Sequence, residues 1–169
     1  MTILAVCGCE AGRRALNDHL ANLLDRVAGE DPELKRHAVL QIAMLLERST
    51  RADQAELGRE QERFYASIVP RHLLASSINR QEHEWVVERL SMLVRAGNAT
   101  PDMLWAIGKA SPDVGIRPLL VLLGAYPVLL DDEAAYQALI ALESFLNQSS
   151  DENHMHYATN YVGFTCAPV

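Results

Sequence analysis

Sulfur and imidazole are the side chains with the most chemical reach in this sequence. Cys7 and Cys9 flank Gly8, and His154 and His156 form a second close pair near the other end of the chain. Two thiolates and two imidazoles are a donor set that suits tetrahedral zinc. The spacing does not, because zinc modules combine two tight ligand pairs in a recognisable knuckle and neither pair sits in one. The reading is therefore no metal and no cofactor. His83-Glu84 is a single adjacent pair, and His19 and His72 have no carboxylate at helical ligand spacing. Glu33 and His37 stand four apart, a spacing that fits a surface pair worth a few tenths of a kcal/mol. The chain has no glycine-rich phosphate loop, no Gly-x-Ser-x-Gly turn and no Cys-x-x-Cys. Nucleotide binding, serine hydrolysis and thioredoxin-like exchange thus lack the geometry they need, and no catalytic residue is assigned.

The elements that must position any site are helical. Leu16, Leu20, Leu23, Leu24 and Val27 recur at threes and fours, which puts them on one helix face ending before Gly29. Asp31-Pro32-Glu33 opens a second helix with a cap, a proline at the first turn and an acid at the dipole's positive end. It is expected to reach about Arg48 and to bury Leu34, Ala38, Ile42, Leu45 and Leu46. The polar stretch Thr50 to Glu62 predicts an exposed or lightly packed helix. Phe64, Ile68, Leu73, Leu74 and Ile78 resume an apolar pattern that Pro70 splits. Glu82 to Ala96 is amphipathic and stops at Gly97-Asn98. Thr100-Pro101-Asp102 and Ser111-Pro112-Asp113 start two more helices, the second carrying Ile116, Leu119, Leu120, Leu122 and Leu123. Asp131 or Asp132 caps the last, expected to bury Ala135, Ala138, Leu139, Leu142 and Leu146. Trp85 and Trp105 lie on apolar helices and are expected in the core.

The chain of 169 residues is 49% apolar and 22% charged, values of an ordinary globular protein. Such a length buries roughly 70% of its unfolded surface in one core. The net charge of −7 is uneven: from Pro112 onward seven acids face one base, Arg117, whereas the first 111 residues are almost balanced. No basic patch predicts nucleic-acid binding. Three cysteines are too few for a disulfide framework, so a reducing cytoplasm is expected. No run approaches the ~20 apolar residues of a membrane span. Residues 151–169, with Tyr157, Tyr161 and Phe164, lack helical periodicity and are expected to fold back on the helices as a tail. The tail also offers a surface through which the chain could self-associate.

Ala106-Ile107-Gly108-Lys109-Ala110-Ser111-Pro112-Asp113, followed by Ile116, Leu119, Leu120, Leu122 and Leu123, resembles the junction between two bacterial HEAT-like repeats of the PBS-lyase type. In that family a B helix ends in alanine, a large aliphatic and glycine, and a short Pro/Asp turn leads into a leucine-rich A helix. Ile42, Ile107 and Leu142 each occupy the aliphatic position, at separations fitting a unit of about 33 residues. The likeness is clearest over 80–148, fair in the first repeat and weak around Leu74-Ala75. It implies an all-α fold: a short right-handed α-α superhelix of about four antiparallel helix pairs over 1–150, with an irregular helical bundle as the alternative. HEAT-repeat deoxyhypusine hydroxylases resemble one another in carrying His-Glu pairs on several repeats; here His83-Glu84 occurs once.

By resemblance, the expected function is a non-catalytic protein-protein interaction or scaffold module. The family's B helices line the concave side, which makes Lys35, Gln41, Lys109, Gln137 and Glu143 the candidate partner contacts. A partner meeting the acidic C-terminal third would be basic there. Two alternatives come from the same likeness: an accessory enzyme resembling the HEAT-like bilin lyases, and, least favoured, a nucleic-acid-binding protein like the HEAT-like alkyl-base glycosylases. The latter would need a basic groove.

Overall fold

The computed structural model describes residues 3–52, 59–74 and 77–148. Among them are seven α-helices and no strand: α1 Ile3–Ala28, α2 Pro32–Ala52, α3 Arg59–Ile68, α4 Arg80–Leu93, α5 Pro101–Ile107, α6 Pro112–Leu123 and α7 Asp132–Gln148. None is long and apolar enough to cross a membrane. The thiols of Cys7 and Cys9, and all of 151–169 with His154 and His156, lie outside the described residues. The chain divides into two compact units, Met1–Val86 and Val87–Val169, and the division falls inside α4.

In the first unit α1 and α2 pack together. Helix α1 starts well before the apolar stripe that predicts it, because Gly8 costs only about 1 kcal/mol in a helix interior and no proline interrupts the run. Leu16, Leu20, Leu23, Leu24 and Val27 are all buried. Asp31 Oδ1 accepts from the amides of Glu33 and Leu34 at 2.9 and 3.1 Å, which makes Asp31 the N-cap of α2. Gln41 through Leu46 are buried without a break, so this part of α2 is enclosed on every side. Leu34 is half exposed instead of buried, since it sits in the first turn next to the exposed Asp31 and Glu33, beside the chain reversal.

Pro70 ends the helical path as expected. The pattern after it is carried by a turn, in which Pro70 O accepts from Leu73 N at 2.9 Å. Leu73, Leu74 and Ile78 are buried there without helical backbone. The buried Ser49 hydroxyl donates to Leu45 O at 3.0 Å and accepts from Ile78 N at 2.8 Å. It thereby satisfies an amide whose desolvation would otherwise cost about 1–3 kcal/mol. Helix α3 and the residue that follows it turn Tyr65 and Val69 inward and leave Phe64 54% exposed, one position off the sequence expectation.

Asn79 and Glu82 form a reciprocal cap at the start of α4: Glu82 N donates to Asn79 Oδ1 at 2.9 Å, and Asn79 N donates to Glu82 Oε2 at 2.7 Å. The other carboxylate oxygen of Glu82 accepts from Arg13 Nη1 at 3.0 Å, tying α1 to this cap within the first unit. Helix α4 runs into a π turn, Val94–Asn98, and Gly97 at φ 87° terminates it. That left-handed backbone is the usual helix stop for glycine.

In the second unit Thr100 Oγ1 caps α5 through Met103 N, Ser111 and Pro112 start α6, and Asp131 Oδ1 caps α7 through Ala134 N at 2.8 Å. Helix α7 packs on both α5 and α6. Two glycines admit it. A Cβ on Gly108 would stand 2.5 Å from Ala141 Cβ, and one on Gly115 would stand 2.4 Å from Phe145 Cζ. The buried stripe of α7 is Ala134, Ala138, Ala141, Leu142 and Phe145. Leu139, expected in the core, is 42% exposed, because the face that fits the two glycines is rotated away from it. Trp85, also expected in the core, is exposed on α4, and Trp105 is half-buried.

Candidate functional site

Helix α7 has a second apolar stripe, and it faces solvent. Tyr136 is 66% exposed, and Leu139 and Ile140 are about two-fifths exposed, at helical spacings of three and four. Glu143 continues the stripe one turn on and is exposed. Asp131, Asp132 and Glu133 are exposed at the same helix's start. Helix α6 adds Val121, and the segment leading into α7 adds Tyr126 and Val128, to the exposed apolar residues of this unit. The Tyr126 hydroxyl donates to Asp132 Oδ1 at 2.6 Å, and this bond, with the carboxylate's charge, holds the phenol above its ordinary value of 10.0. The result is an apolar strip edged by acids.

The five residues expected from sequence fall in both units. Lys35 and Gln41 belong to the first, Lys109, Gln137 and Glu143 to the second. Glu143 is exposed, and Lys35, Lys109 and Gln137 are half-buried. Lys109 stands over the Trp105 ring at 5.3 Å to its centroid, a cation–π contact one helical turn apart. Gln41 is a correction, since only 7% of it is exposed and it cannot present a solvent-facing contact. Its amide is used internally: the carbonyl oxygen lies 3.0 Å from His19 Nε2 and the amide nitrogen 3.3 Å from His37 Nδ1. A buried amide must be partnered, and these two imidazoles do it.

Sequence reasoning missed Tyr136 and Ile140 as surface features and placed Leu139 in the core. The available signal was that α7 has more large apolar positions than one face can hold.

The imidazole of His19 has a displaced titration. Burial is the main reason its pKa is held below the ordinary 6.5, with the charges of Arg26 and His72 acting in the same direction and the Gln41 hydrogen bond opposing. The unfolded chain therefore binds this proton more readily than the folded one, so stability rises with pH across the interval between the two values. The contribution is complete above 6.5 and is lost as the pH falls through the lowered folded value. Urea denaturation between about pH 7.5 and pH 5.5 is expected to show falling stability. His19→Gln is expected to flatten that slope, and an unchanged slope would show that other groups set it.

Among the described residues no group of three histidines, cysteines or carboxylates is placed to hold a metal ion. Comparison of the chain with protein-family models, with curated proteins and with solved structures returned no match.

Proposed function

We propose that this chain is a non-catalytic protein-binding module built of HEAT-like helix pairs, and that its partner lays an amphipathic helix with basic flanks against the outer stripe of α7. The observation that carries the reading is the exposed strip Tyr136, Leu139 and Ile140 beside Asp131, Asp132, Glu133 and Glu143. Contiguous apolar surface rimmed by charge is the usual mark of an interaction site. Anchors at i, i+3 and i+4 match the way one helix reads another. The acidic rim selects a basic partner and disfavours nucleic acid, whose phosphates it repels. The short Ser-Pro-Asp turn between α5 and α6 supports the HEAT-like assignment, as does the close seating of α7 on Gly108 and Gly115. Cysteine usage supports a reducing, cytoplasmic setting.

Affinity capture of the tagged full chain from its host, in wild-type and Ile140→Glu forms, tests this. Ile140 is exposed, so the substitution is expected to leave the helical circular dichroism and the denaturation midpoint in place. The expected result is one stoichiometric protein held by the wild type, reduced at least about tenfold by Ile140→Glu and retained by Lys35→Glu, a loss matching a buried apolar anchor. Capture of no protein, or of a partner indifferent to Ile140→Glu, would overturn the proposal.

A further inference from the structure

The first unit contains a cleft of about 410 Å³ lined by Arg48, Glu62, Arg63, Ala66, Arg71 and Leu74. It draws on the end of α2, on α3 and on the turn after Pro70. Its size lies within the roughly 300–1,000 Å³ of small-ligand pockets. Among the described residues of the lining three guanidinium groups face one carboxylate, so these side chains carry two net positive charges in a chain whose total is −7.

Among the described residues the internal pairing does not use up these donors. Arg48 Nε lies 3.4 Å from Glu62 Oε1, close enough for attraction. The same nitrogen is buried and makes no hydrogen bond, so the contact is misaligned and a desolvated donor is left over. Arg63 and Arg71 are exposed and have no ion-pair partner among the described residues. Guanidinium groups gathered around one cleft repel one another unless an anion enters, and their forked donors match phosphate oxygens.

We infer that this cleft binds a small soluble phosphate ester. Arg48 supplies the buried donor and Arg63 and Arg71 the exposed ones, while Ala66 and Leu74 contribute apolar wall. The charge selects the ligand: a phosphate monoester carries about −1.5 to −2 at pH 7 and neutralises the described lining side chains, whereas a single carboxylate neutralises half of their charge. The site lies in the first unit and does not depend on the α7 reading.

Titration of the full chain with inorganic phosphate, pyrophosphate, a nucleoside monophosphate and acetate, all at one ionic strength, tests the inference. Calorimetry and the arginine Nε–H signals in nuclear magnetic resonance serve as readouts. The expected result is saturable one-to-one binding of the phosphates with a shift of the Arg48 Nε–H signal, and acetate at least about tenfold weaker. Arg63→Gln and Arg71→Gln together are expected to weaken phosphate binding at least about tenfold while the circular dichroism stays unchanged, and Lys35→Gln to leave it unaltered. The inference is overturned if no phosphate compound saturates below about 20 mM, if acetate binds equally, or if the arginine variants bind as the wild type does. Preferential sedimentation with phosphatidic-acid vesicles over soluble esters would overturn it too.

Discussion

Phe145→Ala is expected to lower the free energy of unfolding by about 3–5 kcal/mol, the range for removing a fully buried aromatic ring. Phe145 is 0% exposed, and its far ring edge lies against the backbone of Gly115. Truncation empties that space, and Gly115 has no side chain to move into it, so the upper part of the range applies. The comparison is Ile140→Ala on the opposite face of the same helix. It is two-fifths exposed, and its truncation is expected to cost much less than Phe145→Ala. Urea denaturation measures both, and an unaltered slope with a lower midpoint identifies a change in stability alone. Equal effects of the two substitutions would mean that α7 is not seated by the face described.

Gly115→Ala is expected to destabilise by about 1–3 kcal/mol, the usual cost of overpacking a filled core. The sign is the informative part. Alanine is favoured over glycine in a helix interior by about 1 kcal/mol, so at an open position the substitution would stabilise α6. Here the new Cβ would stand 2.4 Å from Phe145 Cζ and 3.0 Å from Ile107 O, and the backbone oxygen cannot give way as a side chain can. Gly108→Ala is expected to behave alike, because its Cβ would meet Ala141 Cβ at 2.5 Å and Ala141 Cα at 3.2 Å. A double-mutant cycle separates this clash from a helix effect. Phe145→Leu removes the ring edge, so Gly115→Ala is expected to cost at least about 0.5 kcal/mol less in that background. Strict additivity would show that the two residues do not compete for the same space.

The two faces of α7 thus predict opposite phenotypes. Changes at Phe145, Gly115 or Gly108 act on stability. A charge at Ile140 is expected to act on binding and to leave stability nearly in place, because among the described residues that face is only partly packed. This separation makes a loss of partner in the capture experiment attributable to the surface and not to unfolding.

Much of the helical outline is local and therefore legible in the amino-acid sequence. Asp31 before Pro32, Thr100 before Pro101, Ser111 before Pro112 and Asp131 before α7 mark helix starts, because a cap or a proline acts within one turn on amides a few residues away. Pro70 and Gly97 end helical paths for equally local reasons. The α1 stripe from Leu16 to Val27 was also readable, since that helix has a single apolar face. Burial was less legible wherever a helix offers two faces, because burial belongs to a pair of elements and not to a segment. Only the packing of α7 on Gly108 and Gly115 decides that Phe145 goes inside and that Tyr136, Leu139 and Ile140 stay out. Gln41 reads as a surface residue by type, yet two imidazoles positioned by α1 and α2 enclose its amide. Arg48, Arg63 and Arg71 are scattered in a nearly neutral stretch, where charge counting gives no signal. The chain reversal at Pro70 brings them around one cleft, and close approach in space, which spacing along the chain does not encode, turns three ordinary charges into one electrostatic site.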